Sequence, residues 1–238
     1  MASTLSTPRP PSSRRRTALT STVGLKITMA ISGLAFIAFV LGHMYGNLKA
    51  FEGHDAYNAY AEHLRVLGEP LFPRTGLLWL MRVGLIAALV VHVTAAVVLW
   101  RRAASARTTP YVASLRRTST FASRTMRWGG LTIFVFLVWH LANFSIGRVN
   151  VTGGPTNDPY DLLVDTFQTW WMTAIYLVAM ATLALHLWHG TWSSAQTLGL
   201  TGTPRRRFAA RATGAALAVV VAGGFSLSPI FIAVGVIR

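Results

Sequence analysis

Residues 27–46 read ITMAISGLAFIAFVLGHMYG, an uncharged run with one histidine, His43, near its end. About 20 predominantly apolar residues in helical conformation cross the hydrocarbon core of a bilayer. An ionisable side chain inside such a run is costly and is a functional candidate by default. The same pattern recurs along the chain. Apolar stretches long enough to span lie at 23–45, 77–100, 126–146, 167–192 and 209–236, and the first four carry His43, His92, His140 and His186. This predicts an all-α integral membrane protein with five transmembrane helices, the first four forming a bundle around the histidines.

The composition agrees. Of 238 residues, 53% are hydrophobic and 12% charged, about half the charged fraction of a soluble domain. The formal net charge of +15 raises the question of nucleic acid. The basic residues, however, fall in clusters between apolar runs, with no basic–aromatic interleaving on a soluble module, so nucleic acid is not expected as a partner. The chain has no cysteine, which excludes disulfides, thiolate zinc sites and iron–sulfur ligation within it. Residues 1–22, rich in Ser, Thr, Pro and Arg, read as a disordered basic cytoplasmic tail ahead of a membrane domain over 23–238. They do not read as a signal peptide, because the apolar run that follows is too long and lacks a small-residue cleavage site.

Positive charge sets the expected orientation. Arg14, Arg15, Arg16 and Lys26 precede or open the first span. Arg101, Arg102, Arg107, Arg116, Arg117, Arg124 and Arg127 lie between the second and third, and Arg205, Arg206, Arg207 and Arg211 between the fourth and fifth. All seven acidic residues fall in the other two connections: Glu52, Asp55, Glu62 and Glu69 in 46–76, Asp158, Asp161 and Asp165 in 147–166. The N-terminus is therefore expected in the cytoplasm and the C-terminus outside. The fifth span has no histidine and reads as a packing helix, with Gly214, Gly223 and Gly224 permitting close approach.

Depth sorts the histidines. At about 1.5 Å per residue, His43 and His140 lie roughly 20–30 Å from the inner starts of spans one and three. His92 and His186 lie roughly 22–28 Å from the outer starts of spans two and four. The first two share the outer half of the membrane and the second two the inner half. A single intramembrane histidine is well explained by an interhelical hydrogen bond; one on each of four consecutive helices is not. Two imidazoles facing each other suit a six-coordinate haem, whose filled axial positions leave electron transfer as its chemistry. Zinc fits less well, since no carboxylate or third ligand lies at these depths. His189, one turn beyond His186, shares its face and reads either as a competing ligand or as a hydrogen-bond partner at the helix end.

LGHMYGN (41–47), VVHVTAA (90–96), FLVWHLAN (136–143) and LHLWHGTWSSAQTLGLTGTPRRR (185–207) together resemble the cytochrome b subunit of succinate dehydrogenases and quinol:fumarate reductases. The resemblance is to the class with a single five-helix anchor and two haems, and it runs over about residues 23–235. It implies two haem b groups as cofactors, ligated by His43 with His140 and by His92 with His186, with His189 outside the ligand set. It further implies a flavoprotein subunit and an iron–sulfur subunit docked on the cytoplasmic side, and a quinone, menaquinone for the two-haem type, as electron acceptor. A bacterial cytoplasmic membrane, a place in respiratory complex II and possible higher oligomers of the complex also follow from it. Ser32 and Gly33 resemble the segment lining the inner haem. Lys26 and Arg127 either pair with haem propionates or simply anchor the inner face. Glu69 and Glu62 are the candidates for a quinone-linked glutamate of the family, or are solvated loop acids.

Two other readings compete. One is a di-haem cytochrome b serving a formate dehydrogenase or a hydrogenase, against which HGTWSSAQTLG (189–199) and the fifth span argue. The other is a transporter with histidines along a proton path and no cofactor. On either dehydrogenase reading, this chain alone lacks the groups to oxidise a substrate such as succinate.

Overall fold

The computed structural model describes residues 18–106, 121–146, 150–151 and 156–238. Most of the expected N-terminal tail, and Arg107, Arg116 and Arg117, lie outside them. The described residues are helical: α1 Thr22–Leu48, α2 His54–Val66, α3 Gly76–Ser105, α4 Phe121–Leu141, α5 Pro159–Gln168, α6 Trp170–Thr197 and α7 Pro204–Ala233. Five of these, α1, α3, α4, α6 and α7, are long and apolar enough to cross a membrane.

Local chemistry explains the boundaries. Ser21 caps α1 by accepting from the Gly24 amide, and Thr203 caps α7 by accepting from the Arg206 amide. Pro204 opens α7, where its missing N–H costs nothing. As a result Arg205, Arg206, Arg207 and Arg211, expected in a link, form the first two turns of α7. A left-handed Gly235, φ +75°, lies just past the end of the same helix.

Two connections differ from the sequence expectation. The segment 46–76, read as a loop, holds α2, entered through Gly53 at φ +95°. Its apolar positions recur every three to four residues over only 13 residues, too short to register in a search for spans. The run from 167 is not one helix. Thr169 is extended, at φ −82° and ψ 107°, and separates α5 from α6. Phe167 belongs to α5 and is buried, whereas Trp170 opens α6 at 78% exposure. The Thr173 hydroxyl donates to the Phe167 carbonyl at 2.9 Å and so satisfies an acceptor released by the break.

The two ends of the bundle are chemically distinct. At one end Arg102 donates to the Thr20 carbonyl, Arg127 lies over Trp100 and Arg211 over Trp192. At the other, α2 and α5 carry most of the carboxylates. There α5 buries Tyr160, Leu163, Val164 and Phe167 against Met172, Tyr176 and Ile232. Among the described residues this is the larger of two buried apolar clusters, and it closes that end of the bundle.

Helix packing sets up the site. α6 packs most closely on α7, α4 packs on α6, and α1 packs on α3, α6 and α7. Among the described residues, neither α1 with α4 nor α3 with α6 forms such a close pair. Two glycines allow the close pairs. A Cβ on Gly214 would sit 2.8 Å from the Trp188 carbonyl oxygen, and one on Gly224 would collide with Met44. Gly223, expected to share this role, faces open space.

Candidate functional site

The four intramembrane histidines form two pairs. The His43 and His140 rings have centroids 5.8 Å apart at an interplanar angle of 76°. The His92 and His186 rings are 6.4 Å apart at 54°. The pairs bridge α1 to α4 and α3 to α6, the two helix combinations that do not pack closely. His43 and His140 lie near the ends of their helices, beside α2 and α5. His92 and His186 each lie about 24 Å into helices that start at that same end. The pairs therefore occupy different depths.

Three of the rings have defined surroundings. The Ser32 hydroxyl lies 3.0 Å from His92 Nδ1 and gives its own hydrogen to the Thr28 carbonyl at 2.8 Å, with Met29 O at 3.1 Å. With its hydrogen given to the Thr28 carbonyl, the Ser32 oxygen can accept from His92 Nδ1–H, the tautomer that leaves the Nε2 lone pair free. Ser32 is buried, and Gly33 beside it brings the α1 backbone close to the same ring. On the other pair, His140 Nδ1 lies 3.3 Å from the Tyr176 hydroxyl, which donates to Asn143 Oδ1 at 3.2 Å. Phe136 and Phe144 flank the His140 ring, and Phe39 and Phe225 flank His43. His186 Nδ1 is buried without a hydrogen-bond partner among the described residues, a state that costs about 1–3 kcal/mol.

This donor set fits a group that binds two imidazoles. A metal–imidazole bond is about 2.0–2.1 Å and the ring centre lies about 1.1 Å further, so imidazoles on opposite sides of one ion have centroids roughly 6.3 Å apart. The observed 5.8 and 6.4 Å lie close to that value. On His92 and His140 the Nδ1 atom is engaged by a hydroxyl, which turns Nε2 toward the partner ring's side, as a metal-ligating imidazole requires. Beside His186, a cavity of about 190 Å³ opens between α4 and α6, lined by Met126, Gly129, Thr132, Thr182 and Leu185 among others.

The remaining candidates lie away from the pairs. Lys26 is exposed on the first turns of α1, and Arg127 is exposed and stacked over Trp100. His189 is half-buried, one turn past His186. Glu62 is paired with Arg65 at 3.0 Å and Arg74 at 2.6 Å, which ties α2 to the turn before α3. Glu69 is exposed on that turn.

Sequence reasoning gave no role to a second polar cluster. His54 on α2, Asp158 at the N-cap of α5 and Asp161 in its first turn each bring one metal-ligand type atom within 4.8 Å of the others. His54 Nε2 lies 3.0 Å from Asp158 Oδ2, and Asp55 holds the other ring nitrogen at 2.9 Å. The Asn58 amide donates to the same Asp158 oxygen at 2.6 Å. The Asp55 hydrogen bond, with the nearby carboxylates, raises the His54 pKa. Partial burial pushes the Asp158 carboxyl upward, but hydrogen bonds from Asn58 and the Asp161 and Tyr160 amides outweigh it and leave the pKa lowered. His54 and Asp158 are more than 100 residues apart, and only the pairing of α2 with α5 brings them together.

No family model, curated protein or solved structure matches this chain.

Proposed function

We propose that this chain is the membrane-anchor and electron-transfer subunit of a succinate:quinone oxidoreductase, with two b haems held by His43 with His140 and by His92 with His186. The observation that carries the proposal is the double pairing: four histidines from four membrane-spanning helices meet two by two, at separations suited to one metal ion each. A haem ligated by two imidazoles supplies one-electron transfer with no vacant position for oxygen. The residues of this chain would do the rest. Ser32 orients His92, the phenylalanines exclude water from His43 and His140, and the two depths set up a relay along the membrane normal. A proton path would need water or further titratable groups beside the histidines, and the His43–His140 pair is flanked by phenylalanines instead.

The assignment to succinate, with a flavoprotein and an iron–sulfur subunit at the basic, cytoplasmic end, rests on the resemblance of the four histidine stretches and of 185–207. Menaquinone as acceptor rests on it too, as does location in a bacterial cytoplasmic membrane. Lys26 and Arg127 stand at the end where the inner group would present its propionates. Glu69, and Glu62 less freely because of its two arginines, stand at the end where the outer group would meet quinone.

A pyridine haemochrome assay on the purified chain tests the core of this reading. Two haems per chain, released by acid acetone because no C-x-x-C-H attachment motif exists, are expected; one or none would overturn it. Adding succinate to membranes tests the assignment. Reduction of both haems by succinate supports it, and reduction only by formate or hydrogen assigns the chain to another dehydrogenase.

A further inference from the structure

We infer that Tyr176 and Asn143 are positioning residues for His140, and that they lower the reduction potential of the haem on the His43–His140 pair; the inference rests on the two-haem reading above. One consistent placement of the hydrogens runs through the chain of contacts. The Thr166 hydroxyl donates to the Leu162 carbonyl at 2.7 Å, so its oxygen meets Asn143 as an acceptor. The amide nitrogen of Asn143 faces it at 3.5 Å, which turns Asn143 Oδ1 toward Tyr176. Tyr176 donates its only hydrogen to that oxygen at 3.2 Å. The phenolic oxygen is left with lone pairs alone toward His140 Nδ1, 3.3 Å away. With the hydrogens so placed, His140 donates from Nδ1, the tautomer that leaves Nε2 as the ligand atom.

The fold makes this arrangement stiff. Asn143 and Thr166 are both fully buried, and Asn143 stands on a π-helical turn, Ala142–Ile146, that widens the end of α4. Such turns are frequent at functional sites. Phe136, Phe144 and Phe167 enclose the Tyr176 ring, with centroids 4.8, 6.2 and 4.8 Å away. Donation from Nδ1–H makes the imidazole a more basic ligand. A more basic ligand stabilises the oxidised, more positive metal and so lowers its potential. The other pair has a serine hydroxyl in the corresponding place, on α1 rather than α6. Tyr176 thus acts on one pair only, although it shares α6 with His186 of the other, ten residues or about 15 Å further along.

The test is a spectroelectrochemical titration of the two haems in the intact chain carrying Tyr176→Phe. Both haems should be retained by pyridine haemochrome. One midpoint should rise so that the oxidised-to-reduced ratio at fixed potential changes on the order of tenfold, about 59 mV for one electron. The midpoint that moves should be the one missing from His140→Ala. Asn143→Ala removes the acceptor that turns the tyrosine hydrogen away, together with the amide contact to Thr166. It should raise the same midpoint by less, and it carries the test if Tyr176→Phe fails to take up that haem. Two haems with unchanged midpoints, or equal shifts in both, would overturn the inference while leaving the two-haem reading intact. A wild-type chain without haem would overturn both.

Discussion

His92 on α3 and His186 on α6 face each other with ring centroids 6.4 Å apart, although α3 and α6 do not pack closely along their lengths. The two helices meet at these imidazoles without forming a close-packed pair. The His43–His140 pair between α1 and α4 repeats the relationship at the other depth.

Each pair should therefore behave as a unit. If the chain holds the two proposed haems, His43→Ala or His140→Ala should remove one, His92→Ala or His186→Ala the other, and His189→Ala should keep both. Haem counts and the reduced-minus-oxidised spectrum report this. A haem lost with His189→Ala but kept with His186→Ala would move the ligand by one helical turn.

Charge asymmetry predicts the topology, and a chain without cysteine makes it easy to measure. Single cysteines placed in 101–125 or 203–208 should react with an impermeant thiol reagent only from the cytoplasmic side, and one at residue 60 only from outside. Labelling of residue 60 from the cytoplasm alone reverses the orientation.

The His54–Asp158 contact should hold α2 to α5 over a bounded pH range. Asp158 has a lowered pKa, so its contribution is present above the ordinary carboxylate value and is lost as pH falls through the lowered one. His54 has a raised pKa, so its contribution is complete below about 6.5 and is lost as pH rises through the raised value. Hydrogen exchange of peptides covering 54–66 and 158–168 should quicken, beyond the intrinsic pH effect, once pH passes above the His54 value. Both groups reach solvent, so the change should be at most about fivefold. His54→Gln should abolish it; an identical profile in that variant would remove His54 from the contact.

The glycines of α7 should separate by position. Gly214→Ala places a methyl against the Trp188 backbone carbonyl, and overpacking of this kind costs about 1–3 kcal/mol. Gly223→Ala meets nothing and gains up to about 1 kcal/mol of helix propensity. Thermal unfolding in detergent should show the first lowered and the second unchanged or raised. Equal melting points would mean that the α6–α7 approach is not limited by Gly214.

The five spans, their alternating direction and the histidine on each of the first four were legible in the order of residues alone. Apolar length and the depth of a residue within a helix are one-dimensional properties, readable at 1.5 Å per residue. Ser32 could be singled out only by resemblance, and its hydrogen bond to His92 came from the α1–α3 contact. What the residue order left open was whatever depends on rotation and packing. The break at Thr169 is invisible in an apolar run, because burial of Phe167 under the bundle end decides it. Tyr176 and Asn143 carried no signal, since a tyrosine and an asparagine near a helix end are ordinary there. They become a pair only when α4 and α6 meet at the π-helical turn. His54 and Asp158 likewise meet through tertiary contact alone. Which helix faces approach, and which hydrogen each hydroxyl has left to give, are settled in three dimensions, because side-chain packing sets the rotation of each helix.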